Sequence, residues 1–186
     1  MKATGIVRRI DDLGRVVIPK EIRRNLRIRE GEPLEIYVDR EGEVILKKYS
    51  AISGLGDFAQ EYADSLHEAT GHITCIADRD HIIAVAGAPK KEFLNKTLDI
   101  SMEKVMEDRK TIHIEAGEGP NRQSFLMLDE EEEELTLLSK VISPIIAEGD
   151  PIGAVIIIAK DKEVKMGEME RKLTETAASF IAKQME

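Results

Sequence analysis

The basic residues of this chain are concentrated at its N-terminal end. Residues 1–29 contain nine lysines and arginines but only three acidic residues, which gives this segment a charge of +6. The whole chain carries −9 at pH 7, so residues 30–186 carry −15. A local excess of cations on an acidic protein indicates binding to nucleic acid, and a solvated basic surface is the alternative. The nine cations are Lys2, Arg8, Arg9, Arg15, Lys20, Arg23, Arg24, Arg27 and Arg29.

Short elements of secondary structure must position these cations. Residues 6–10 have β-branched, apolar residues at both ends and residues 16–18 are fully apolar, which predicts two strands, and residues 11–14 between them have the composition of a turn. Pro19 cannot donate to a sheet and its fixed φ suits the start of a helix, so we predict a helix from Lys20 onward. Four cations then recur at i, i+3, i+4 and i+7 and share one helix face: Lys20, Arg23, Arg24 and Arg27.

The first 50 residues are too few to bury a large core. Two more strands are predicted over residues 34–38 and 44–49, which gives four short strands and one helix. Domains of this size need a metal, disulfides or a partner chain, and residues 1–50 contain neither cysteine nor histidine. We therefore expect an obligate dimer through residues 1–50, whose two-fold axis would suit double-stranded DNA.

The same stretch resembles the AbrB family of transition-state regulators. The resemblance rests on residues 5–19, which read Gly-Ile-Val-Arg-Arg-Ile-Asp-Asp-Leu-Gly-Arg-Val-Val-Ile-Pro, and on residues 21–24 and 34–38. It implies a swapped-hairpin β-barrel dimer that binds DNA. By this resemblance four arginines match DNA-contacting positions, and a fifth, Arg9, matches a position that is basic in the family. The four are Arg8, Arg15, Arg23 and Arg24.

A second domain follows a short linker. The small residues and glycines of 51–56 predict the linker between a DNA-binding domain, residues 1–50, and a regulatory and oligomerisation domain, residues 57–186. Alternation and helical periodicity in the second domain predict an α+β fold with an antiparallel sheet. The predicted helices are 57–70, 93–109 (with a break at 95–97) and 167–185. The predicted strands are 72–77, 81–86, 111–115, 125–128, 139–147 and 151–160.

This order of elements resembles a GAF or PAS-like sensor domain. The layout of the whole chain resembles a family of sporulation regulators that join an AbrB-type head to a GAF domain. The resemblance implies a homotetramer held through the C-terminal domain, which would regulate sporulation genes as both activator and repressor. The first and last helices of the second domain could form an intersubunit bundle. A cavity between sheet and helices could hold a small-molecule effector.

No catalytic or metal-binding set is recognisable in the sequence. His72 and Cys75 have the spacing of half a metal site, but alternation places them on opposite faces of a strand. Cys75, the single cysteine, is instead expected to be a buried apolar residue. Phosphate-binding loops, nucleophile elbows and dinucleotide-binding glycine patterns are absent from the sequence. We expect no enzyme, no cofactor and no metal.

The composition predicts a soluble, cytoplasmic protein without a membrane partner. No apolar run reaches the roughly 18 residues of a membrane span, and no signal peptide precedes the first strand. The chain has no tryptophan, three tyrosines and four phenylalanines, which argues against stacking on single-stranded bases. The acidic run 129–134 is interpreted as a solvated loop. Two alternatives stay open: an antitoxin-type interaction module that shares the swapped-hairpin head, and an enzyme.

Overall fold

A computed structural model of the chain describes residues 5–116 and 138–185. The chain divides into two compact units, residues 1–49 and 50–186. The predictions of a strand over 125–128 and of a solvated acidic loop over 129–134 lie outside the described residues. The functional boundaries of the two domains stay a prediction.

The first unit contains one helix and one hairpin. Helix α1 spans Lys20–Asn25, with Pro19 as its N-cap at φ −56°. Strands β1 (Leu34–Val38) and β2 (Val44–Lys48) pair in antiparallel register. The predicted start of the helix is confirmed, but the predicted four-cation face is wrong at its end. Arg27 lies beyond the helix at φ 53°, because α1 stops after six residues.

Residues 6–10 and 16–18 do not form the two predicted strands. Within the described chain the ladder of the first unit joins only β1 and β2. A strand needs a neighbouring strand to satisfy its backbone groups, and one copy of the first unit offers residues 6–10 and 16–18 no ladder beyond the turn between them. The sequence pattern therefore identified residues with a strand composition, but not where their pairing partner would come from.

The second unit is built on a five-stranded antiparallel sheet. The five strands are β3 (Ile73–Asp78), β4 (Ile82–Ala86), β5 (Ile112–Ile114), β6 (Lys140–Ala147) and β7 (Asp150–Ile158). Two hairpins are present, since β3 pairs with β4 and β6 pairs with β7. The short strand β5 lies at one edge beside β6, and the sheet has the order β4-β3-β7-β6-β5.

Helices cover both faces of this sheet. Helices α2 (Gly56–Thr70) and α5 (Glu168–Lys183) pack on one face, where Ile76, Val155 and Ile181 are buried. Helices α3 (Lys90–Phe93) and α4 (Ser101–Asp108) pack on the other. The two apolar layers explain why the β7 sequence is almost continuously hydrophobic. The predicted α+β class with an antiparallel sheet is confirmed.

One segment of the second unit follows its predicted form and another differs from it. The helix predicted over 93–109 is interrupted at the predicted break, 95–97, where Asn95 adopts φ 63° and its N–H donates to the carbonyl of Ile82 at 2.8 Å. The residues predicted as linker are folded: Ala51–Leu55 is a 3₁₀ helix, and Ile52 is fully buried in the layer under α2.

None of the described helices is both long and apolar enough to cross a membrane.

Candidate nucleic-acid interface

The turn between the two N-terminal apolar segments is closed by Asp11. Its backbone N–H donates to the carbonyl of Arg15 at 3.0 Å, and its carbonyl accepts from Gly14 N–H at 3.0 Å. Its carboxylate Oδ1 accepts from the N–H groups of Leu13 at 3.0 Å and Arg15 at 2.7 Å. Gly14 adopts φ 76°, which a glycine takes without a steric penalty. The turn is therefore specified by an aspartate and a glycine three positions apart.

The same aspartate holds the side chain of Arg15. The guanidinium Nε donates to Asp11 Oδ2 at 2.8 Å, while 69% of the Arg15 side chain stays exposed. Hydrogen bonds from the Arg15 backbone and then from its guanidinium lower the pKa of Asp11 below its usual value, so the carboxylate is charged at neutral pH. An Nε-bound arginine keeps its two terminal amino groups for another acceptor.

Helix α1 presents further cations beside this turn in the sequence. Arg24 is exposed, and Arg23 is half-buried with its Nε donating to the carbonyl of Ile18 at 3.3 Å. This bond holds the Arg23 side chain back along the segment that leads into the helix. The end of α1 is tied to β2, because Lys48 Nζ donates to the carbonyl of Arg27 at 3.0 Å.

The five predicted DNA-binding arginines differ in how they are held. Arg15 is bound by Asp11 and Arg23 by a backbone carbonyl, whereas no side chain among the described residues binds Arg24. Arg8 and Arg9 are exposed, and within residues 5–116 and 138–185 no ion pair neutralises them. One cation of the basic segment is otherwise engaged. Arg29 pairs with Glu32 through Nη1 and Oε1 at 3.7 Å.

The role of Asp11 beyond the turn was not predicted from the sequence. Asp11 and Arg15 are four residues apart across a turn, a spacing that does not by itself place their side chains in contact. A signal was nevertheless present, because the Asp-x-x-Gly pattern of 11–14 occurs again at 39–42. The recurrence points to a shared loop design, against which the differences between the two loops can be judged.

The residues considered for metal or thiol chemistry lie apart. Cys75 is fully buried in the layer under α4, and burial raises the pKa of its thiol. His72 instead lies near Glu170 on α5, whose pKa burial raises but the backbone N–H groups of Gly167 and Glu170, and then the charge of His72, lower below its usual value. Across the described ranges, no three histidine, cysteine or acidic residues are grouped as metal ligands. The interpretation of Cys75 as a buried apolar residue is confirmed.

A cavity of about 300 Å³ opens in the second unit between β6 and α5, near the edge strand β5. Its lining mixes apolar and polar side chains, and Thr111 Oγ1 and Ser143 Oγ lie 2.9 Å apart in it. The cations at its rim are Arg109 and Lys183. Glu175 also lines it, but its charge is paired with Arg171 at 3.0 Å and Lys172 at 3.1 Å.

Comparisons with known proteins agree along the whole chain. Residues 54–186 match the family described as stage V sporulation protein T C-terminal, transcription factor. Residues 7–53 match the family described as antidote-toxin recognition MazE, bacterial antitoxin. Stage V sporulation protein T of Bacillus subtilis (strain 168) is 58% identical over 186 residues, which cover 100% of this chain and 99% of that protein.

Two partial relatives describe the units separately. The transition state regulatory protein AbrB of Bacillus subtilis (strain 168) is 67% identical over 49 residues, 26% of this chain and 50% of that protein. A crystal structure of the GAF domain from an Acinetobacter phosphoenolpyruvate-protein phosphotransferase superimposes with a TM-score of 0.58 at 14% identity. It covers 70% of this chain and 81% of that one, and this likeness shows the GAF fold.

An AbrB-like head with an arginine presented on a closed turn, followed by a GAF-fold unit, defines a DNA-binding transcriptional regulator. The match over the full length then places it more narrowly. The chain belongs to the stage V sporulation protein T family of transcription factors.

Proposed function

We propose that residues 1–50 of two chains form one head that binds double-stranded DNA through Arg8, Arg9, Arg15, Arg23 and Arg24. The observation that carries this proposal is the turn in which Asp11 fixes an exposed Arg15. Arginines held in this way suit the bidentate acceptors of phosphates and guanine edges. In the cytoplasm such a head would activate some sporulation genes and repress others, according to where it binds.

The exposed apolar surface of the first unit supports the dimer. In its described residues only Pro19 is buried, whereas many apolar side chains face solvent. Val7 is 88% exposed and Ile36 69%. A single copy leaves too much apolar surface in water to be stable alone. A second copy would cover this surface and supply ladder partners for residues 6–10 and 16–18.

The test of the DNA surface is a pair of substitutions on α1. Arg23→Ala with Arg24→Ala should weaken binding of full-length protein to a promoter duplex by more than tenfold and reduce the slope of log Kd against log salt. The matched control is Lys90→Ala with Lys91→Ala, an adjacent pair of exposed cations on α3. Fluorescence anisotropy across a salt series measures both. Normal binding by the α1 variant would show that the assigned surface is wrong.

The second unit is proposed to join two heads into a tetramer. Phe58 and Tyr62 of α2 lie against Phe180 of α5, with ring centroids 5.4 to 6.0 Å apart. This aromatic group is only partly covered, and Phe180 is 42% exposed. Met169 extends the apolar side of α5 into solvent. Two such helix pairs from different chains would bury these side chains in a four-helix bundle.

The cavity beside α5 is the proposed place for a small effector. Its volume of about 300 Å³ lies at the lower end of the range for small-molecule sites. Arg109 and Lys183 supply positive charge to its lining, and Ile146, Ala178 and Ala182 supply apolar surface. These features fit a small organic anion with a short apolar tail.

The matched probes for this cavity are butyrate and butyramide, which share a shape and differ in charge. Saturation-transfer NMR on the full chain should detect butyrate, and Arg109→Gln should reduce its signal at least fivefold. Lys110→Gln is the control, because Lys110 is exposed and is absent from the cavity lining. Equal binding of the neutral amide would show that the cavity does not select for negative charge, which would refute an anionic effector.

Two other activities are raised by the comparisons, and only the first is kept as a second candidate. The antitoxin match over residues 7–53 allows a toxin-binding head, and copurification of a small toxin with the full chain would support it. A type II free methionine-R-sulfoxide reductase from Thermoplasma acidophilum superimposes with a TM-score of 0.52 at 15% identity, a likeness of fold alone. We propose no enzymatic activity, since the single thiol is buried and its pKa raised. Free methionine sulfoxide should stay unreduced in the presence of the protein and dithiothreitol.

A further inference from the structure

The first unit contains two loops of the same design. In the loop 39–43, Asp39 N–H donates to the carbonyl of Glu43 at 3.1 Å and Gly42 N–H to the carbonyl of Asp39 at 3.4 Å. The carboxylate Oδ1 of Asp39 accepts from the N–H groups of Glu41 at 2.9 Å and Glu43 at 2.8 Å. Each of these four bonds has its counterpart in the loop 11–15.

The two loops differ at the residue that closes them. The closing residue is Arg15 in the first loop and Glu43 in the second, four positions after the aspartate in each. In the first loop the second carboxylate oxygen of Asp11 accepts from Arg15 Nε at 2.8 Å. The second loop closes with the same four bonds and without a bond from the side chain of its closing residue, so the bond from the Arg15 side chain is an addition to a loop that does not require it.

We propose that Asp11 is a positioning residue for sequence-specific DNA reading, which acts by fixing the guanidinium of Arg15. The proposal rests on the proposed function, because Arg15 must contact DNA for its orientation to matter. With Nε bound to the carboxylate, Arg15 directs both terminal amino groups outward as a fork. A base edge is recognised only by hydrogen-bond donors in a fixed arrangement, whereas a phosphate accepts hydrogen bonds from donors in many arrangements.

A purely electrostatic role of Asp11 predicts the opposite result. A carboxylate at a DNA-binding surface repels phosphates, so its neutralisation should strengthen binding to every duplex. Loss of positioning should instead weaken binding to the preferred sequence, while non-specific binding stays equal or becomes tighter. The pair is exposed, so it adds little to folding stability and its effect should be confined to DNA recognition. The ratio of specific to non-specific affinity therefore separates the two roles.

Asp11→Asn is the decisive variant. Asparagine keeps one carbonyl oxygen for the N–H groups of Leu13 and Arg15, so the loop can still close, but its amide nitrogen cannot accept from Arg15 Nε. Asp39→Asn makes the same change in the loop without the arginine. Both variants are made in the full chain, and the probes are the tightest duplex selected from a random pool by the wild-type protein and a scrambled duplex of equal length. Unchanged thermal midpoints establish that both variants fold.

The expected result is at least a tenfold fall in the ratio of specific to non-specific affinity for Asp11→Asn, and a change below twofold for Asp39→Asn. In an Arg15→Ala background, Asp11→Asn should leave the ratio unchanged, because no guanidinium remains to be positioned. Equal strengthening of both affinities by Asp11→Asn would overturn the proposal and leave Asp11 as a repulsive charge. An equal loss in Asp11→Asn and Asp39→Asn would also overturn it, in favour of loop closure alone.

Failure of the proposed function gives a different pattern. If Arg15→Ala itself binds the selected duplex normally, Arg15 does not contact DNA and the assigned surface is wrong. If Arg15→Ala weakens that binding and Asp11→Asn does not, the surface is right and only the positioning role is refuted.

Discussion

At the scale of single residues, Lys140 carries a positive charge into the sheet of the GAF-fold unit. It is almost fully buried and pairs across the strands with Ile158 and Ile114. Burial lowers the pKa of Lys140 from 10.5 to about 8. Because the folded state disfavours the charged form, this residue destabilises the fold below pH 8, and the penalty disappears as the pH rises above 10.5.

Lys140→Met should therefore raise the free energy of unfolding at pH 7 by up to about 3 kcal/mol, the value that corresponds to the shift in pKa. The gain in free energy of unfolding should shrink at pH 10, because the wild-type lysine is then neutral in the folded state and burial no longer penalises it. Urea denaturation at the two pH values measures it, with exposed Lys160→Met as the control. An equal gain at both pH values would assign the effect to packing and not to ionisation.

Residue types and spacing were enough to identify the five arginines as candidates, because cations on an acidic chain stand out in composition. The partner of Arg15 could not be predicted in the same way. Asp11 fits a turn by its residue type, and only the folded loop shows that its second oxygen reaches Arg15 Nε. The burial of Lys140 could not be predicted either. It depends on which residues cover that side of β6, and the alternation of residues along the strand does not reveal them.

At the scale of elements, the close approach of β7 to β3 depends on Gly153. A Cβ at this position would collide with the carbonyl oxygen of Ala77 and meet the Cδ1 atom of Ile52 at 2.7 Å. The carbonyl belongs to a paired strand and cannot move away without breaking the ladder. Glycine is thus required here by contact and not by a positive φ.

Gly153→Ala should lower the free energy of unfolding of the second unit by roughly 3 kcal/mol, since overpacking of this kind displaces backbone. The matched control is Gly56→Ala at the start of α2, where a Cβ meets no atom within 4 Å. That change should be neutral or stabilise by a few tenths of a kcal/mol. Guanidinium denaturation followed by circular dichroism compares them, and similar midpoints for the two variants would contradict the contact argument.

Elements with strong periodicity or a clear turn were predictable, and elements that depend on distant partners were not. Helix α2 ends at Thr70, as predicted, and its C-cap Gly71 adopts φ 69°. The β6–β7 turn has positive φ at Glu148 and Gly149. The apolar spacing over 93–109 suited a helix, and residues 95–97 were predicted as its break. The partner of that break was not predictable, because the isolated bridge between His81 and Thr97 ties it to the start of β4, a contact that no local pattern encodes.

At the scale of the whole molecule, the affinity for DNA depends on how many dimeric DNA-binding heads one oligomer carries. If α2 and α5 of two chains associate, a tetramer carries two dimeric heads, and the second head binds at high effective concentration once the first is bound. The strongly acidic remainder of the chain repels DNA and would restrict binding to the heads.

Phe180→Glu should convert a tetramer into a dimer, because it places a charge in the apolar surface that the proposed bundle buries. Sedimentation velocity gives the mass, and circular dichroism confirms the fold. Arg171→Glu, which changes a side chain on the opposite side of α5, is the control and should leave the tetramer intact. A Phe180→Glu variant that sediments as a tetramer would exclude this helix pair as the interface.

The burial of Ile52 determines where the chain can be divided into fragments that still fold. A fragment that begins at residue 57 lacks the 3₁₀ helix and leaves an isoleucine-sized hole beside Gly153 and Ala77. A cavity of this kind lowers the free energy of unfolding by roughly 2–5 kcal/mol in other proteins. That loss is enough to make an otherwise stable domain unfold and aggregate during purification. A protease should accordingly cleave near Tyr49 and spare the segment that follows, and recombinant versions of the GAF-fold unit should start at Ser50.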